Sequence, residues 1–136
     1  MSKNNSLEAD LNRVRHMFDA TQEILSFVQN KSRDDFHSDR MLLLSVIKEL
    51  EIIGEAANKV SGSFREKHKD IPWESMIGIR NRLIHGYFDI DIDIVWNTVS
   101  QHLEKLSASL EKILPSSLSQ KEADALADEA KHKSRK

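Results

Sequence analysis

The sequence predicts an all-α protein: an antiparallel four-helix bundle with a short extra turn before the third long helix and a flexible C-terminal tail. Three observations carry that prediction. Apolar residues recur at spacings of three and four through four separate stretches, the signature of helices with one buried face. The 136 residues include only 4 Gly and 2 Pro, too few for an all-β fold, which needs a turn about every 8–12 residues. The polar connections between the stretches are short, which favours antiparallel neighbours.

The first helix is expected from Ser6 to about Asn30. Leu7, Leu11, Val14, Phe18, Thr21, Leu25 and Val28 alternate at four and three, and Met17 and Ile24 widen the stripe. Ser6 is the expected N-cap, with Glu8 and Asp10 suited to the positive end of the dipole. The run from Lys31 to Asp35 is a polar connection. The second helix is expected to begin between Asp35 and Asp39 and to end near Val60, with Leu43, Ile47, Leu50, Gly54 and Ala57 on one face. Gly costs about 1 kcal/mol against Ala inside a helix. Gly54, followed by Ala56 and Ala57, therefore predicts a point where another helix crosses closely. Ser61-Gly62-Ser63 ends that helix, and Phe64 to His68 forms the short extra turn.

Pro72 suits a first helical position, where its missing N–H costs nothing. The third long helix should carry Trp73, Met76, Ile77 and Arg80 to about Ile84 or His85, with Gly86 as a stop. Asp89 to Ile94 alternates like a strand, yet no partner strand exists. It reads instead as a connection in which Asp91 or Asp93 caps the fourth helix. Ile92, Val95, Trp96, Val99, Leu103, Leu106, Leu110 and Ile113 form the stripe of that helix, and Pro115 follows it. The helical domain is thus read as residues 1–114. Residues 115–136 form a polar tail, partly helical around Leu118, Leu126 and Ala130 or disordered, ending in a basic run.

Composition removes several functions. With no cysteine there is no disulfide framework, thiolate zinc site or cysteine nucleophile. The longest apolar run is Met41 to Leu44, so no membrane span is expected. The N-terminus lacks the apolar core of a signal peptide, and a cytoplasmic protein is expected. The formal net charge is -2, so bulk electrostatics gives no reason to expect nucleic-acid binding. Any such contact must be local.

Residues 79–87, Ile-Arg-Asn-Arg-Leu-Ile-His-Gly-Tyr, hold the densest cluster of functional side chains. Arg80 and Arg82 are permanent cations. His85 is the side chain best suited to proton transfer near neutral pH. Asn81 lies four residues before His85, on the same helix face if the helix continues. In an uninterrupted helix Tyr87 would point away from His85, and a break at Gly86 can return the phenol to the imidazole. With 8 Arg and 6 His in the chain, Arg-x4-His arises by chance about 0.35 times, and adding the sole Tyr two residues later lowers this to roughly 0.003. The plain alternative is a helix C-terminus with a histidine against the dipole and arginines in solvent.

Arg80-x4-His85-x-Tyr87 resembles the motif of HepT-type toxins, a prokaryotic branch of the HEPN superfamily. The resemblance extends to Glu51-Ile52-Ile53-Gly54-Glu55-Ala56-Ala57 in the second helix, to Ile71-Pro72-Trp73 with Ile77-x-x-Arg80-Asn81 in the third, and to Asp91-x3-Val95-Trp96 in the fourth. It covers about Leu7 to Leu114. The resemblance implies a HEPN four-helix domain that forms a homodimer with a composite cleft, and a metal-independent endoribonuclease without a cofactor. Arg80 and His85 would be catalytic and Asn81 supporting, with Arg82 a substrate-phosphate contact. It also implies a type VII-like toxin–antitoxin system, in which an MntA-type nucleotidyltransferase antitoxin transfers AMP to Tyr87.

Other patterns are weaker. Asp89-x-Asp91-x-Asp93 imitates a calcium loop, but Ile94 stands where that loop needs Gly and Ser100 where it needs Glu. His16, Asp19 and Glu23 share a helix face without a fourth ligand and read as solvated. Glu51 and Glu55, four apart, could assist at a cleft or form surface ion pairs. Trp73 and Trp96 are expected in the core or an interface. A non-catalytic HEPN module that binds a nucleotide or scaffolds a nucleotidyltransferase is the alternative function. It has use for the arginines but none for His85.

Overall fold

The computed structural model describes residues 3–83 and 89–115. Six helices occur among them: α1 (Lys3–Phe27), α2 (Asp35–Ser38), α3 (Arg40–Lys59), α4 (Gly62–Lys67), α5 (Trp73–Leu83) and α6 (Ile92–Ile113). The four long ones form the expected all-α bundle. Three contacts fix their directions. Asp10, early in α1, bonds Ser61, just past α3. Gly54, late in α3, lies against Met76, early in α5. Arg33, past the end of α1, pairs with Asp93 at the start of α6. Each of these neighbouring pairs is therefore antiparallel.

Several boundaries differ from the sequence reading, each for a local reason. α1 begins at Lys3, so Ser6 lies inside the helix and does not cap it. The helix ends at Phe27 because the chain turns through Asn30, whose φ of 63° is the left-handed conformation that Asn tolerates better than most residues. The second predicted helix is two elements. Asp39 breaks it with an extended backbone, and its carboxylate caps α3 by accepting from the Leu42 N–H. α2 survives as a separate turn because Phe36 is buried there, edge-on to Trp96 at 5.6 Å. Ser61 caps α4 through its hydroxyl. Pro72 stands one residue before α5, its carbonyl accepting from the Met76 N–H.

The core runs along all four long helices: Met17, Phe18 and Ile24 from α1, Leu50 and Ile53 from α3, Leu83 from α5, Leu103 and Leu110 from α6. At Gly54 the crossing is close. A Cβ placed there would stand 2.7 Å from the carbonyl oxygen of Met76, as the small-residue pattern predicts. α1 and α3 pack as the central pair, with α5 on α3 and α6 on α1. The fourth edge, between α5 and α6, is far less closely packed. No helix among the described residues is long and apolar enough to cross a membrane.

Candidate functional site

α5 carries the clustered residues, and its sequence explains how firmly it is held. Trp73 is buried, donates its indole N–H to the His68 carbonyl at 2.9 Å and meets Phe64 edge-on. One turn later, Met76 abuts α3 at Gly54, and Ile79 and Leu83 are buried beyond it. A helix anchored at its base and along one face presents its other residues at fixed positions. Arg80 belongs to this helix, and Asn81 and Arg82 are exposed on it. His85, Gly86 and Tyr87 lie outside the described residues.

The described residues do fix both ends of the segment bearing His85 and Tyr87. Leu83, the last described residue of α5, accepts through its carbonyl from the Asp91 N–H at 3.0 Å. Asp91 in turn caps α6, its carboxylate accepting from the Ile94 N–H at 3.1 Å. A backbone hydrogen bond thus joins the last described residue of α5 to the residue that caps α6. The same contacts settle the aspartate pattern. Asp91 is the cap, and Asp93 is committed to the Arg33 guanidinium. Two of the three repeated aspartates thus have structural roles, and among the described residues no three His, Asp or Glu side chains converge as a metal cage.

The loosely packed edge between α5 and α6 opens as a groove of about 410 Å³. Met76, Ile79 and Leu106 form part of its floor. Its polar lining includes Ser75 and Arg82 from α5 and Asn97, His102, Lys105 and Ser109 from α6. Arg82 brings the groove to the last turn described for α5. Sequence reasoning singled out Arg82 but neither His102 nor Lys105. On α6 alone these two read as a solvated face, and only the position of α5 makes them line a groove.

Glu51 and Glu55 line a shallow depression on the outer side of α1 and α3, beside Arg13, His16, Lys48 and Lys59. Nearby, Glu49 faces Glu23 across α1 and α3. Partial burial, then the charge and hydrogen bond of Glu23, push the Glu49 carboxyl up to about 7. Trp96 is partly buried against Phe36 and Trp73 is buried, where a place in the core or an interface is expected for both.

Comparison with known proteins supplies the family. Residues 17–113 match the model of a family described as ribonuclease HepT-like. A protein of Methanocaldococcus jannaschii named "Putative RNase" is 35% identical over 95 residues, which cover 70% of this chain and 87% of that one. A protein of Thermococcus cleftensis named "Probable ribonuclease HepT" is 36% identical over 95 residues, covering 70% and 86%. A third, from Caldanaerobacter subterraneus, shares the name of the first and is 34% identical over 101 residues, covering 74% and 90%. No solved structure matches the chain. The matched span runs from the middle of α1 to the end of α6, and the chain belongs to the HepT-like ribonuclease family.

Proposed function

We propose that the protein is the toxin of a type VII-like toxin–antitoxin pair, a metal-independent endoribonuclease that works as a homodimer and is silenced by AMPylation. The observation that carries this reading is the composite Arg80-x4-His85-x-Tyr87, which starts on the anchored helix α5 of a HepT-like ribonuclease.

The chemistry follows from the residue types. Cleavage without a metal uses the adjacent 2′-OH of the RNA as nucleophile. A base removes its proton, the new bond forms from O2′ to phosphorus, and the bond from phosphorus to O5′ breaks. An acid protonates O5′ as it leaves. The products are a 2′,3′-cyclic phosphate and a 5′-OH. His85 supplies base or acid, and two copies meeting in a dimer divide those roles. Arg80 holds the phosphate bidentately and neutralises the charge that builds on its oxygens. Asn81 supports by fixing the His85 tautomer or contacting phosphate, and Arg82 reaches a neighbouring phosphate. AMP attached to Tyr87 by an MntA-type nucleotidyltransferase puts an anionic phosphate and a bulky nucleoside at the same place, where it competes for Arg80.

The test is incubation of the protein with RNA in EDTA, with mapping of the ends, repeated for Arg80→Ala and His85→Ala. Cyclic phosphate ends from wild type alone are expected. If wild type leaves RNA intact under all conditions, the non-catalytic HEPN module takes its place. Treatment with an MntA-type nucleotidyltransferase and ATP should add AMP mass at Tyr87 and stop cleavage. Full modification with undiminished cleavage refutes the regulatory part.

A further inference from the structure

We infer that the groove between α5 and α6 is a path for single-stranded RNA, gripping the phosphodiester backbone beyond the scissile position. The inference rests on the ribonuclease reading for its direction, and on the groove alone for its ligand chemistry. Four observations carry it. The groove exists because α5 packs on α3 and α6 packs on α1, leaving their shared edge open. It is long and narrow: its α6 lining, Ile94 to Ser109, spans about 22 Å at 1.5 Å per residue. That shape suits an extended strand better than a compact ligand.

The groove also reaches the end of α5 that carries the motif, since Arg82 on its lining lies between Arg80 and His85 in the sequence. The lining chemistry selects the backbone. Arg82 and Lys105 are cations, and Asn97, His102, Ser75 and Ser109 offer donors, the groups that contact phosphate and sugar oxygens. The single acidic lining residue, Asp70, stands before α5 begins, at the end of the groove away from Arg82. No Phe, Tyr or Trp lines it, and contacts to phosphate and sugar carry no sequence information, so grip without base preference follows. A chain with a formal net charge of -2 thereby gains its RNA affinity from one local feature.

The experiment pairs binding with cleavage. An RNA of some twelve nucleotides, with a 2′-O-methyl group at each position so that it cannot be cut, is titrated against wild type, Lys105→Ala, the double variant Lys105→Ala/His102→Ala, and Lys105→Arg. In parallel, the ratio of kcat/KM for a long RNA over a dinucleotide is measured for each. The double variant should bind the uncleavable strand about tenfold more weakly. Its long-over-short ratio should fall by a similar factor, and the salt slope should flatten by about 0.7 for the one permanent charge removed. Lys105→Arg should restore all three. Base composition of the strand should change none of them.

Unchanged binding and an unchanged ratio overturn the inference. So does a change in sedimentation on substitution at Lys105, which marks the groove as a contact with a second protein. Tight, Lys105-dependent binding by a wild type that cuts no RNA overturns the ribonuclease reading and leaves the groove assignment standing.

Discussion

One substitution made at two glycines should give opposite results, and the difference can be worked from the α3–α5 crossing. Alanine improves an exposed helix interior by about 1 kcal/mol over glycine. At Gly78, in the middle of α5, a Cβ meets nothing within 4 Å. Gly78→Ala should therefore keep most of that gain and raise Tm by about 3–5 °C in a domain of this size. At Gly54 the Cβ would lie 2.7 Å from the Met76 carbonyl, where ordinary contact begins at 3.4 Å. The obstacle is backbone on a helix pinned by Trp73, so relief requires α5 to move by about 0.7 Å. Overpacking of this kind costs about 1–3 kcal/mol, which outweighs the propensity gain. Net of that gain the loss is up to about 2 kcal/mol, and Gly54→Ala should lower Tm by up to about 6–10 °C. Because α5 carries Arg80, the same displacement should cut RNA cleavage at least tenfold, as small misplacements of catalytic groups do. Thermal melts and a cleavage time course on both variants suffice. If both alanines raise Tm equally, there is no close crossing at Gly54 and the reasoning fails.

Two other outcomes are expected. Asp10 is buried and accepts from the Ser61 N–H at 2.8 Å and the Ser61 hydroxyl at 2.6 Å. Asp10→Ala leaves both donors unmatched and should cost about 2 kcal/mol in urea melts, with Asp10→Asn losing less; equal stability of all three proteins would exclude the tie. Glu49 holds its proton in the native state up to about 7, against an ordinary 4.5. Its contribution is therefore full below pH 4.5 and lost as pH rises through 7. Glu49→Gln should flatten the fall of Tm across that window and melt higher than wild type at pH 8. Parallel curves from pH 4.5 to 8 would show that the two carboxyls do not share a proton.

What the sequence made legible, and what it hid, divides by range. Gly54 announces a close crossing, because a glycine inside a helix costs about 1 kcal/mol against alanine and needs a packing reason, and the crossing is there. The capping aspartate of α6 was narrowed to two candidates. The choice between them depends on Arg33, sixty positions away, which takes Asp93 and leaves Asp91 to cap. Asp39 was within the expected start of the second helix, but three nearby aspartates compete as caps. Burial of Phe36 against Trp96 decides that a separate turn forms before it. At the site, the Arg-His-Tyr spacing marks the segment without any structure. The groove beside it was invisible, since His102 and Lys105 become a lining only through the splay of two helices that lie apart in the chain.

The tie between Asp10 and Ser61 also bears on where the folding unit starts. The family match begins at residue 17, in the middle of α1. Upstream of that point lie the buried Val14 and the carboxylate that receives both donors of Ser61, the residue that caps α4. A truncation drawn at the family boundary would halve α1 and strip the support from α4, which leads into the Trp73 anchor of α5. Shared sequence and independent stability therefore have different N-terminal limits in this protein. A truncation that starts at Asp10 should be more stable than one that starts at residue 17.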